Sequence, residues 1–156
     1  MRILFLSHQA SFMYGGEICT LEMMRVLAQK HDIYFSAPEG PYFTAAQKVA
    51  KKCFPLPSIE FKRELQFLPK LLPALSKSNS ELQKIIEKEK IQILHATSLK
   101  SMIYAWQSGN TLPTIWHHHD ILPDNFFNHL WARAIAWRAK KILVPSHATK
   151  RALEKS

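Results

Sequence analysis

Along the chain, short apolar runs alternate with segments whose apolar residues recur at helical spacing. Arg2–His8 opens with Ile3, Leu4, Phe5 and Leu6 in unbroken succession, the pattern of a strand buried on both faces of a parallel sheet. Glu17–Lys30 follows with Ile18, Leu21, Leu27 and Ala28 at helical spacing, then a strand over Asp32–Ala37 and a helix over Tyr42–Lys52. Cys53–Leu56 reads as a weak third strand, which Pro55 and Pro57 confine to a sheet edge. Phe61–Lys77 is apolar, but Pro69 and Pro73 predict helical pieces separated by kinks. Ser78 and Glu81 have the spacing of a capping box, so the next helix is expected from there to Lys90. Strands over Ile91–Ala96, Pro113–His119 and Ile142–Pro145 then alternate with helices over Leu99–Gln107, Phe126–Lys140 and Ala148–Lys155, the last capped by Ser146. On the Phe126–Lys140 helix, Phe127, Leu130, Trp131, Ala134 and Trp137 fit an apolar face turned to the core. Alternation of this kind implies an α/β fold in one domain: a mostly parallel sheet with helices on both faces.

Composition narrows the class. A chain of 156 residues, 47% hydrophobic and 21% charged, has room for one cored domain and does not read as disordered. No apolar run approaches the ~20 residues of a membrane-spanning helix. The opening residues turn polar too early for a signal peptide. Cys19 and Cys53 form no Cys-x-x-Cys pair, which disfavours a zinc ribbon or redox motif. Cytoplasm and reduced thiols are the expected setting. A net charge of +9 favours anionic partners, whether nucleotide, nucleic acid or acidic lipid. The excess is uneven, since residues 126–156 hold seven basic side chains against one acidic, Glu154. Phe61–Leu75 mixes aromatics and leucines with Lys62, Arg63 and Lys70, and suits either an anionic membrane surface or a helix laid over the sheet.

Candidate chemistry gathers where an open α/β sheet binds ligands, outside the carboxyl ends of its strands. Six of the eight histidines fall at such ends: His8, His95, His117, His118, His119 and His147. Gly15 and Gly16, followed by Glu17, lie between the first strand and a helix N-terminus. There they form either a flexible turn or a place where backbone amides approach an anion such as phosphate. Neither Gly-x-Gly-x-x-Gly nor the P-loop pattern occurs, which disfavours a dinucleotide fingerprint and a P-loop. On a strand His117 and His119 share a face and His118 opposes them. With His95 or His8 they could bind zinc or iron, contact a polar substrate, shuttle a proton, or simply bond to backbone. No HExxH pattern or carboxylate set accompanies them, so no metal is expected.

Taken in order, the segments Arg2-Ile-Leu-Phe-Leu-Ser7, Gly15-Gly16-Glu17, Gln92-Ile-Leu-His95-Ala-Thr-Ser98, Pro113-Thr-Ile-Trp-His-His-His119-Asp120 and Ala139-Lys-Lys-Ile-Leu-Val-Pro-Ser146-His-Ala-Thr149 span nearly the whole sequence. This pattern resembles the N-terminal domain of the retaining glycosyltransferases of family 4, which have the GT-B architecture of two facing Rossmann-like domains. The resemblance implies a Rossmann-like three-layer sandwich forming one half of a GT-B enzyme, with residues 1–156 as the N-terminal, acceptor-side domain. It implies sugar transfer from a nucleotide-sugar donor to a saccharide or lipid-linked acceptor with retention, and no cofactor besides that donor. His119 becomes the preferred catalytic histidine, as a contact to the transferred sugar or to the leaving-group side rather than a covalent nucleophile. Gly15, Gly16, Glu17, His95, Ser98, His117 and Asp120 become substrate-binding candidates, and Ser146 a structural cap. The family's second domain, with its acidic segment and Arg/Lys pair for the nucleotide sugar, is not in these residues, so the fragment alone is expected to be inactive. Peripheral contact with anionic membrane on the cytoplasmic side is retained as an expectation, and nucleic acid is not expected. The alternatives are a basic, non-catalytic binding module and a histidine metal site.

Overall fold

A computed structural model describes residues 1–10, 14–57, 68–109, 111–119 and 126–154. Strands β1 (Arg2–Leu6), β2 (Asp32–Ala37), β3 (Lys52–Pro55), β4 (Ile93–Ala96), β5 (Thr114–His117) and β6 (Lys141–Leu143) alternate with α1 (Gly15–Ala28), α2 (Pro41–Gln47), α3 (Leu68–Glu89), α4 (Leu99–Gln107), α5 (Phe126–Arg138) and α6 (His147–Glu154). The strands form one sheet in the order β3-β2-β1-β4-β5-β6, and every pairing is parallel. This is the Rossmann-like α/β arrangement. Its order reverses between β1 and β4, so the crevice that such sheets offer to ligands opens at the carboxyl ends of those two strands.

Alternation along β1 divides the core. Ile3 and Phe5 pack with Leu21 and Met24 of α1 and with Tyr42, Phe43 and Ala46 of α2. Leu4 and Leu6 turn the other way, onto Leu82 of α3 and Tyr104 and Ala105 of α4. Further along that second face, Trp116 and Ala96 meet Met102 of α4 and Ala132 and Ile135 of α5. Helices thus cover both faces, as continuous apolar strands require.

Several sequence-based expectations are corrected. The helix expected over Tyr42–Lys52 stops at Gln47, because Lys48, Val49 and Ala50 close a tight turn onto Ala45 and Ala46. Lys51 N–H then donates to Ile33 O at 2.8 Å, and Lys52 already lies in β3. In place of kinked pieces, α3 runs from Leu68 through Glu89 with Ser78 and Glu81 inside it. Pro69 falls in its first turn, where amides have no intrahelical partner, and Pro73 forfeits one bond without ending the helix. Residues 58–67 of that segment lie outside the described residues. Lys90, at φ 51, ends α3 in the left-handed region. On α5 the inward face is Ala132 and Ile135, three apart, whereas Trp137 is 88% exposed and not core. The side chains of Phe127, Leu130 and Trp131 lie outside the described residues. Ser146 does cap α6: its Oγ accepts the Thr149 N–H at 3.1 Å. Cys19 and Cys53 are both free thiols, and burial pushes Cys53 up to about 11.

Candidate functional site

β1 and β5 end two residues sooner than expected, at Leu6 and His117, whereas β4 ends at Ala96 as expected. His8 stands two residues beyond β1, while His95 and His117 remain inside β4 and β5. Register sets Phe5 beside His95, and the rings stack at 4.3 Å between centroids, 19° apart. His95 meets His117 edge-on at 5.4 Å, and His117 meets His119 at 3.8 Å. A ladder of rings therefore climbs the α1 face of the sheet, Phe5 to His95 to His117 to His119. His118 points to the opposite face against Trp116, with ring centroids 4.7 Å apart. Its backbone N–H donates to Leu143 O at 2.8 Å.

At the top of the ladder His119 lies over the start of α1. A Cβ built on Gly16 would stand 3.1 Å from His119 Cγ, tighter than side chains normally tolerate. Any larger residue here would have to push the His119 ring back by a few tenths of an ångström, whereas a Cβ on Gly15 would meet nothing within 4 Å. Ile18 N–H closes onto Tyr14 O at 3.1 Å, so the amides before it have no helical acceptor. Glu17 reaches back, and its Oε2 accepts the Tyr14 N–H at 2.9 Å. It therefore caps α1 and adds negative charge where the helix dipole favours it.

Two rings of the ladder, His95 and His117, are kept neutral near pH 7. His95 and His117 are 2% and 3% exposed. Burial, reinforced by the neighbouring histidines, holds His95 down to about 3 and His117 down to about 4. Neither His95 Nε2 nor His117 Nδ1 has a hydrogen-bond partner among the described residues. Among these residues, no group of three His, Cys, Asp or Glu side chains is arranged to hold a metal ion. Nor is any helix long and apolar enough to cross a membrane.

Ser98 occupies the crevice itself. Its Oγ accepts the Ser101 N–H at 3.1 Å, capping α4, and lies 2.8 Å from His8 Nδ1. The ends of β1 and β4 are further tied by Thr97 N–H donating to Leu6 O at 3.1 Å. The structure thus brings Gly16, His95, His117 and His119 together on one face and Ser98 with His8 at the order reversal. Asp120 lies outside the described residues. Gly40 was not singled out in the sequence: a Cβ there would stand 1.9 Å from Ala10 O, so it holds the segment after β1 against the start of α2. Its only sequence signal was the Gly40-Pro41 pair at a helix start.

Residues 13–156 match the sequence profile described as Glycosyltransferase Family 4. The chain belongs to that family. Among curated proteins no sequence relative is found. Solved structures resemble this family 4 chain in fold. A glycosyltransferase from Rickettsia africae matches with a TM-score of 0.76 at 15% identity, over 99% of this chain and 39% of its own. Anabaena HepE, solved with UDP-glucose, matches at 0.67 and 18%, over 99% and 40%. The lipopolysaccharide outer core galactosyltransferase WaaB matches at 0.66 and 16%, over 99% and 42%. The chain therefore spans about two fifths of the length of these proteins.

Proposed function

We propose that this family 4 chain is the N-terminal, acceptor-side domain of a GT-B glycosyltransferase that moves a sugar from a nucleotide-sugar donor to a saccharide or lipid-linked acceptor with retention. The observation that carries the reading is the placement of His119 over Gly16, beside the first amides of α1, which have no acceptor within the helix, and at the carboxyl edge of the sheet. An imidazole there can donate to a sugar hydroxyl or to the leaving-group side, and amides at a helix start favour the charge of a diphosphate. Burial of the ladder below it stiffens the ring's support. No protein nucleophile is assigned. A second domain would supply the nucleotide-binding wall, and the fragment alone would be inactive. The complexes of HepE with UDP and UDP-glucose make a uridine nucleotide sugar the first donor to try. We place the enzyme in the cytoplasm, with its net charge of +9 suited to peripheral contact with an anionic membrane.

In the complete enzyme His119→Ala should lower kcat/KM about 100-fold or more while leaving the circular dichroism spectrum unchanged. Turnover within a few-fold of the parent would remove His119 from the site. The anomeric configuration of the product, read by NMR, would overturn retention if inverted.

A further inference from the structure

Two tryptophans break the rule that keeps large apolar rings inside. Trp137 is 88% exposed, the most exposed of the large apolar side chains among the described residues. Ala132 and Ile135, on another face of α5, already supply the helix's contact with the core. Arg133, one turn before Trp137, shares its outward stripe and is exposed. Lys140 and Lys141, directly after the helix, are exposed as well. On the neighbouring α4, whose Met102 packs with Ala132 and Ile135, Trp106 is 39% exposed. Each tryptophan stands in the last turn of a helix that runs back to the amino end of the next strand. They therefore lie at one end of one layer, on the rim opposite His119. Charge gathers at the same place. Residues 126–156 hold seven basic side chains against Glu154, which lies 3.6 Å from Lys150. Among the described residues no carboxylate pairs with Arg133, Lys140 or Lys141.

We propose that Trp137, Arg133, Lys140 and Lys141 form the docking surface through which the protein meets an anionic lipid bilayer, with the indole in the headgroup layer and the three cations facing lipid phosphates. An indole suits that layer, because its ring is apolar and its N–H is a donor. Cations beside it gain from the negative potential of an anionic leaflet. A nucleic acid duplex would use the cations and leave the indole in water, whereas a bilayer uses both. The inference locates the peripheral membrane contact proposed above and rests on that reading, but not on sugar transfer. Because the surface lies at the amino ends of the strands, its residues take no part in the site at the carboxyl ends.

Co-sedimentation of the complete enzyme with phosphatidylglycerol vesicles, against phosphatidylcholine vesicles, tests the surface. The parent should bind the anionic vesicles only, and rising salt should release it. Lys140→Gln and Lys141→Gln should each weaken binding about fivefold, and Trp137→Ala about tenfold. Circular dichroism should stay unchanged, since all three side chains are exposed. Anionic vesicles should shift the parent's tryptophan emission to the blue, and Trp137→Phe should reduce that shift. Parent-like binding by Trp137→Ala and by the two lysine variants overturns the surface and leaves the membrane reading intact. Failure of the parent to bind anionic vesicles overturns both. Capture of duplex DNA in place of vesicles, lost in the lysine variants, would assign the surface to nucleic acid and overturn the proposal. Equal acrylamide quenching of the parent and Trp137→Phe without lipid would show that another part of the complete chain covers the indole, with the same result. Transfer to a water-soluble acceptor should be equal in parent and variants; a parallel loss would overturn the separation of the surface from the site.

Discussion

The two ends of the same sheet are built from different chemistry. At the amino ends, charged groups pair: at the surface Lys51 Nζ lies 3.0 Å from Asp32 and Arg2 4.0 Å from the same carboxylate, and Lys52 Nζ lies 2.9 Å from the buried Glu89. At the carboxyl ends, His95, His117, His118 and Ser98 are buried, and the contacts are ring stacks and the short bonds of Ser98 Oγ to Ser101 and His8. Water solvates the Asp32 pairs whether or not they form, so little depends on them. The second set has given up water and depends on its neighbours for everything. Buried polar groups thus gather at the carboxyl ends, the side on which open α/β sheets bind ligands.

Substitutions at the two ends should separate this contrast. The largest effect is expected at Gly40, where an added Cβ would collide with the Ala10 backbone. Gly40→Ala should lower the unfolding free energy by about 3 kcal/mol or more, measured by denaturant titration, while Gly15→Ala in open space should change it little. Equal tolerance at both positions would refute the close packing of the segment after β1.

Acid should act next. Above 6.5, the ordinary imidazole value, His95 and His117 are neutral in folded and unfolded chains alike, and their contribution to stability is complete. Below it the unfolded chain takes up protons that the folded ladder refuses until about 4 at His117 and about 3 at His95. Stability therefore falls as pH falls through that window, by about 1.4 kcal/mol per pH unit for each histidine. His95→Phe keeps a ring on Phe5 and should flatten the slope; an unchanged slope would place the titrating groups elsewhere. The smallest effect belongs to the amino ends, where Lys51→Ala should leave the thermal midpoint unmoved within error. A clear drop there would erase the distinction between the two rims.

Much of this was legible in the residues. Continuous apolar strands, helical spacing between them and Ser146 before a short helix led to the observed order, because period and capping are local properties. The proline reading of Phe61–Lys77 failed over its described part, from Leu68 on, because proline's penalty depends on its place in a helix, and Pro69 falls where that penalty is small. Trp137 failed for a related reason. Helical spacing offers more than one face, and packing against Trp116 selected Ala132 and Ile135. The histidines were visible as a cluster at strand ends, yet their sorting into a ladder on one face and His118 on the other required the register of β4 against β5. The bond from Ser98 to His8 joins residues 90 apart, a proximity created by the β1/β4 pairing.

The margins of the sheet carry one further consequence. A parallel sheet open at both sides offers its outer strands as templates on which another extended chain can add. On one side β3 has four residues and ends at Pro55, with Pro57 just beyond; on the other β6 has three and follows directly on Lys140, beginning at Lys141. Proline withholds a donor from an incoming strand, and lysine repels close lateral stacking. Among the described residues, both outer strands therefore carry features that discourage an incoming strand.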